Sequence, residues 1–181
     1  MAKITVTFSP EGMQKAIKAI EDYQEDIKEK CKELCRRLSN EGMIIASANI
    51  LESTLGNTVS LKSSIDETQA GCKAILTAVG KSYTSESESK GTRTVNTLLL
   101  IEFGAGIHYN KEANPKAQDF GMGVGTFPNQ THAFNENGWF FLGSDNKWHH
   151  SYGVKATMPM FRTAEELKEK VQEIAREVFG G

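Results

Sequence analysis

Residues 9–53 read SPEGMQKAIKAIEDYQEDIKEKCKELCRRLSNEGMIIASANILES. Apolar side chains recur at Met13, Ile17, Ile20, Tyr23, Ile27, Cys31, Leu34, Leu38 and Ile45. Ile20, Ile27 and Leu34 are spaced by sevens, and so are Cys31, Leu38 and Ile45, which puts one apolar stripe along a helix. The start is marked by Ser9 as a hydroxyl cap, Pro10 in the first turn and Glu11 near the positive end of the helix dipole. The pattern predicts one helix to about Ser53, some 60 Å long at ~1.5 Å per residue, with a bend at Gly42. The charges of EDYQEDIKEK fall at i,i+4 spacing and read as its wet face.

Upstream, Lys3–Phe8 alternates strictly, with Ile4, Val6 and Phe8 on one side, and predicts a short strand. Downstream, VSLKSSIDET and CKAILTAV read as two strands joined at Gln69-Ala70-Gly71. Residues 82–94, SYTSESESKGTRT, carry almost no apolar side chains. Such a stretch buries too little surface to offset its ordering entropy, so a mobile loop is expected there. Periodicity leaves the run VNTLLLIEF open between helix and strand. A long glycine-rich connection, about 104–137, leads to GWFFLG and KWHHSYGV, which flank a hairpin turn at Ser144-Asp145-Asn146. Met160, Phe161, Ala164, Leu167, Val171, Ile174, Ala175 and Val178 mark a terminal helix entered at Pro159 and closed before Gly180-Gly181. Helices at both ends of a mostly antiparallel sheet make an α+β fold, expected as a single domain over 1–181.

The composition narrows the function. Of 181 residues, 39% are apolar and 24% charged, the proportions of a globular chain. A formal net charge of −2 argues against binding nucleic acid through a basic face, because phosphate neutralisation needs clustered Lys and Arg. No apolar run reaches the ~20 residues of a membrane span, and MAKITVTF lacks a signal-peptide layout, so folding in the cytoplasm is expected. Cys31, Cys35 and Cys72 are an odd set, and they read as small apolar packing residues rather than a disulfide or zinc framework.

The stretch 119–151 tempts a catalytic reading. Gly121, Gly123 and Gly125 alternate, but no strand precedes them, and Pro128 stands where a nucleotide-binding helix would begin. His149 and His150 are adjacent, so on a strand they face opposite ways. A metal site drawn from His108, His132, one of that pair, and Asp119 or Asp145 has no recognised ligand spacing. There is no G-x-S-x-G elbow, and adjacency of His150 and Ser151 does not make a dyad. No catalytic, cofactor or metal residue is therefore assigned.

Three ordered patterns do carry meaning together. LGNTVSLKSSI places Leu61 and Ile65 at a strand entry just after the long helix. LLLIEFGAG contains Ile101, Glu102, Phe103 and Gly104 in a hydrophobic-Glu-Phe-Gly run. GVKATMPMFRTAEEL sets Gly153, Ala156, Pro159, Met160, Phe161, Arg162 and Ala164 at the terminal-helix entry. In this order the set resembles the neck and tail-component family of tailed bacteriophages, the small proteins that join head to tail. Ala105 stands where that family usually has threonine or serine, and Met160 precedes Phe161 where it usually has phenylalanine directly after proline. The resemblance implies a non-enzymatic virion protein, made in the host bacterial cytoplasm and placed in the neck or tail as a connector, completion or terminator component. Its implied partners are itself, as a ring with six-fold symmetry expected, and the neighbouring neck and tail-tube proteins. DNA would pass through without specific binding. The alternatives are a metal-dependent hydrolase using the histidines and a soluble tail-assembly chaperone.

Overall fold

A computed structural model describes residues 7–68, 71–87, 91–108, 135–142 and 145–180. The expected strand at 3–8 lies outside them except for its last residues, where Thr7 and Phe8 lead into the first helix and Phe8 is exposed. That helix, α1, runs Pro10–Leu51 without interruption through Gly42. Ser9 caps it from an extended backbone, its Oγ accepting from Gly12 N at 3.1 Å. The glycine expected to bend α1 has a packing use instead. A Cβ at Gly42 would stand 3.4 Å from both Leu76 and Leu167, so two other elements close onto the helix at that point.

A short 3-10 turn at Gly56–Thr58 leads into β1 (Val59–Thr68). This strand pairs antiparallel along its whole length with β2 (Gly71–Gly80), from Val59↔Gly80 to Thr68↔Gly71. Only Lys81 separates β2 from β3 (Ser82–Ser87), which pairs with β4 (Gly91–Asn96). The loop expected at 82–94 is therefore corrected to a two-stranded arm, with residues 88–90 outside the described set. Thr84, Thr94, Tyr83 and Val95 have the β-branched and aromatic side chains that suit a pleat. The two hydroxyls Thr84 and Thr94 meet at 3.0 Å across it, and backbone pairing replaces the apolar burial that the sequence lacks.

The ambiguous apolar run is a helix, α2 (Thr97–Phe103). Asn96 decides this locally. Its Oδ1 accepts from Leu98 N at 2.9 Å, while its Nδ2 donates to Gly80 O and Ser82 Oγ, each at 3.1 Å. One side chain thus caps α2 and ties it to the hairpins. Two short ladders follow: β5 (Ala105–Gly106) with β8 (Gly153–Val154), and β6 (Trp139–Leu142) with β7 (Trp148–Ser151). The expected hairpin around Asp145-Asn146 is present, and Asn146 takes a left-handed backbone.

The last element, α3 (Pro159–Phe179), lies antiparallel on the second half of α1. The pairs run in opposite order along the two helices: Arg37 with Glu177, Glu41 with Lys170, Asn49 with Thr163, Glu52 with Arg162. The protein is mixed α+β, with all described strand pairing antiparallel, divided among four two-stranded ladders. Its core gathers Ile45, Ala46 and Ile50 of α1 with Ile101, Phe103 and Ala105.

Candidate functional site

The second and third sequence patterns lie far apart in the chain and meet in space. At the C-terminal end of α2, the carbonyl of Ile101 accepts from Thr157 N at 2.8 Å and Met158 N at 3.1 Å. The next side chain, Glu102, is only 7% exposed. Its Oε2 accepts from Met160 N and its Oε1 from Phe161 N, both at 3.0 Å. These are the first amides of α3. A helix leaves its first N–H groups without intrahelical partners, and Met158, the residue in the cap position, offers no side-chain bond. The carboxylate of Glu102 supplies that cap from another element and sets a negative charge at the positive end of the dipole.

Glycines let the strands approach around this clamp. Gly104 turns the chain at φ 77° after Phe103. Gly153 has φ 104°, and a Cβ there would lie 2.0 Å from the Ala105 carbonyl. Ala105, where the resembled family prefers a hydroxyl, is buried in this ladder.

The remaining pattern residues have varied surroundings. Pro159 is buried, and Met160 and Phe161 are half-buried. Phe161→Ala therefore falls below the ~3–5 kcal/mol expected of a fully buried ring. Arg162 forms a two-pronged ion pair with Glu52, and Ala164 is exposed. Leu61 is half-buried, and Ile65, on the same face of β1, is 40% exposed and lines a groove with Glu29, Glu33 and Arg36 of α1. The clamp was not foreseen in the sequence, since nothing in a lone glutamate announces which distant helix it will cap.

The histidines part as expected from strand alternation. His149 Nε2 lies 2.9 Å from Asp145 Oδ1, and that hydrogen bond holds the Asp145 carboxyl below its ordinary range. His150 Nε2 lies 2.8 Å from the Asn137 carbonyl, with its ring 4.6 Å from those of Phe140 and Tyr152. His108 is exposed; His132, Asp119 and the three alternating glycines lie outside the described residues. Among the described residues no three His, Cys, Asp or Glu side chains converge as a metal site. On the inner side of α1, burial and then the neighbouring Cys72 thiol push the Cys35 thiol up to about 11. A thiol held protonated in this way packs rather than reacts.

Among the described residues, two groups of exposed apolar side chains stand out. Met13, Ile17, Ile20 and Tyr23 on the first half of α1 are 47 to 55% exposed. Phe140, Trp148, His150 and Tyr152 share one face of the β6–β7 hairpin, and Phe140, Trp148 and Tyr152 are 53 to 71% exposed. The spacing by twos in Trp148-x-His150-x-Tyr152 is the signal that could have marked this face in the sequence. Among the described residues no helix is long and apolar enough to cross a membrane. Comparison with known protein families, curated proteins and solved structures finds no match to this chain.

Proposed function

We propose that this chain is a structural protein of a tailed-phage particle, forming a ring in the neck or at the head-proximal end of the tail. The observation that carries the reading is the uncovered first half of α1. Glu177 of α3 already stands beside Arg37, so residues 10–30 run on about 30 Å beyond the packed body. Their apolar stripe continues the one that α3 and the hairpins cover further along. A monomer has no use for such an arm, whereas a subunit of an assembly does.

The clamp supports the same reading. Glu102, the most buried carboxylate of the three patterns, spends both oxygens on holding α3, which makes the motif architectural. Head-to-tail contacts close into rings, so each subunit must offer two different surfaces, and six-fold closure is expected. Neighbouring neck and tail-tube proteins would bind the ring's two ends. The near-neutral net charge of −2 suits a lumen through which DNA slides.

Mass spectrometry of purified virions tests the proposal. The chain should be present at the stoichiometry of a ring. Abundance in the lysate with absence from the particle would reject it in favour of an assembly chaperone.

A further inference from the structure

Resting on the ring reading, the inference concerns which surfaces join its subunits. We infer that the arm of one copy, through Met13, Ile17, Ile20 and Tyr23, docks on the aromatic hairpin face of the next copy, formed by Phe140, Trp148 and Tyr152. Both surfaces are exposed, both are apolar, and they differ in shape: one is a helical stripe, the other a flat strand pair. A helix laid on a strand pair is the ordinary way for each to bury its apolar side.

The two surfaces cannot meet within one chain. Trp139 of the hairpin packs where a Cβ of Gly106 would stand, and β5 pairs with β8. From there the contacts run through Glu102 and Met160 to Arg162 and Glu52, at the C-terminal end of α1. Tyr23 lies about 45 Å from that end along a continuous helix. A second copy is the occupant that brings the two together.

The dimensions agree. Strands of four residues span about 13 Å, which matches the rise from Met13 to Tyr23 of about 15 Å.

Complementation between two full-length variants tests it. Ile17→Asp with Ile20→Asp removes the arm surface; Phe140→Ser with Trp148→Ser removes the hairpin surface. All four side chains are exposed, so thermal melts should stay near that of the unaltered chain. By sedimentation, the unaltered chain should self-associate, and each variant alone should stay monomeric. An equal mixture should form a 1:1 complex and nothing larger, because only one intact arm and one intact face remain. Self-association of the hairpin variant alone would mean that arms pair with arms, and would overturn the inference. A mixture that stays monomeric while the unaltered chain closes into rings would leave the ring reading standing and reject this interface. A 1:1 complex from the mixture, with open chains from the unaltered protein, would do the reverse. An unaltered chain still monomeric at about 1 mM overturns the inference and leaves the arm to a different protein.

Discussion

Glu102 joins two parts of the chain that local patterns treat as separate. Replacing it with alanine strands the amides of Met160 and Phe161 near the core, at about 1–3 kcal/mol for the loss of a buried partner. The expected outcome for Glu102→Ala is a melting temperature lower by several degrees, with Glu102→Gln falling less because one acceptor survives. An unchanged melt would show that α3 does not depend on this cap. Charge at the same end of the α1–α3 contact titrates predictably. Hydrogen bonding to Arg162, and then its charge, hold the Glu52 carboxyl below its ordinary range. A depressed folded pKa means that the pair's contribution is complete at neutral pH and is lost as pH falls through the folded value. Both groups are solvent-facing, so this contribution is small. Arg162→Ala should return Glu52 to the ordinary carboxylate range in an NMR titration; no movement would place the cause elsewhere. Cys35 is predicted to resist thiol reagents at pH 8 in the folded chain and to react on unfolding, since its thiol is raised to about 11. Rapid labelling in the native state would contradict that.

At the scale of elements, α1 has two unequal halves. Residues from Lys32 onward lie under α3 or against the first hairpin, where Lys32 pairs with Glu67, while residues 10–30 have almost only their own helical hydrogen bonds and ion pairs such as Lys30–Asp26. An isolated helix of about 20 residues is marginal in water. Hydrogen exchange should therefore be slowest around Ala46 and Ile50 and rise steadily toward Met13 in the free chain. Uniform protection along α1 would mean that the arm is already covered. Element by element, the sequence was legible where the signal was local. Ser9-Pro10, the sevens of Ile20, Ile27 and Leu34, and the entry at Pro159 placed both long helices to within two residues. It misled at 82–94, where low apolarity concealed a ladder of threonines and Tyr83. It stayed silent at 97–103, because four apolar residues in a row have no period until the Asn96 cap selects a helix. The clamp was half visible: Glu102 and Pro159 stood out, but their meeting depends on tertiary geometry that no spacing encodes.

For the whole molecule, the arm and the aromatic hairpin lie at opposite ends, and this polarity is what a ring subunit needs. A chain with both surfaces covered by its own residues would have no such use for a 42-residue helix. Cryo-electron microscopy of the head–tail junction of the proposed particle tests the central claim most directly. The account predicts a closed ring, six-fold by expectation, with each α1 arm lying against the adjacent subunit. A chain absent from the ring layers, or present there as a single copy, would contradict it.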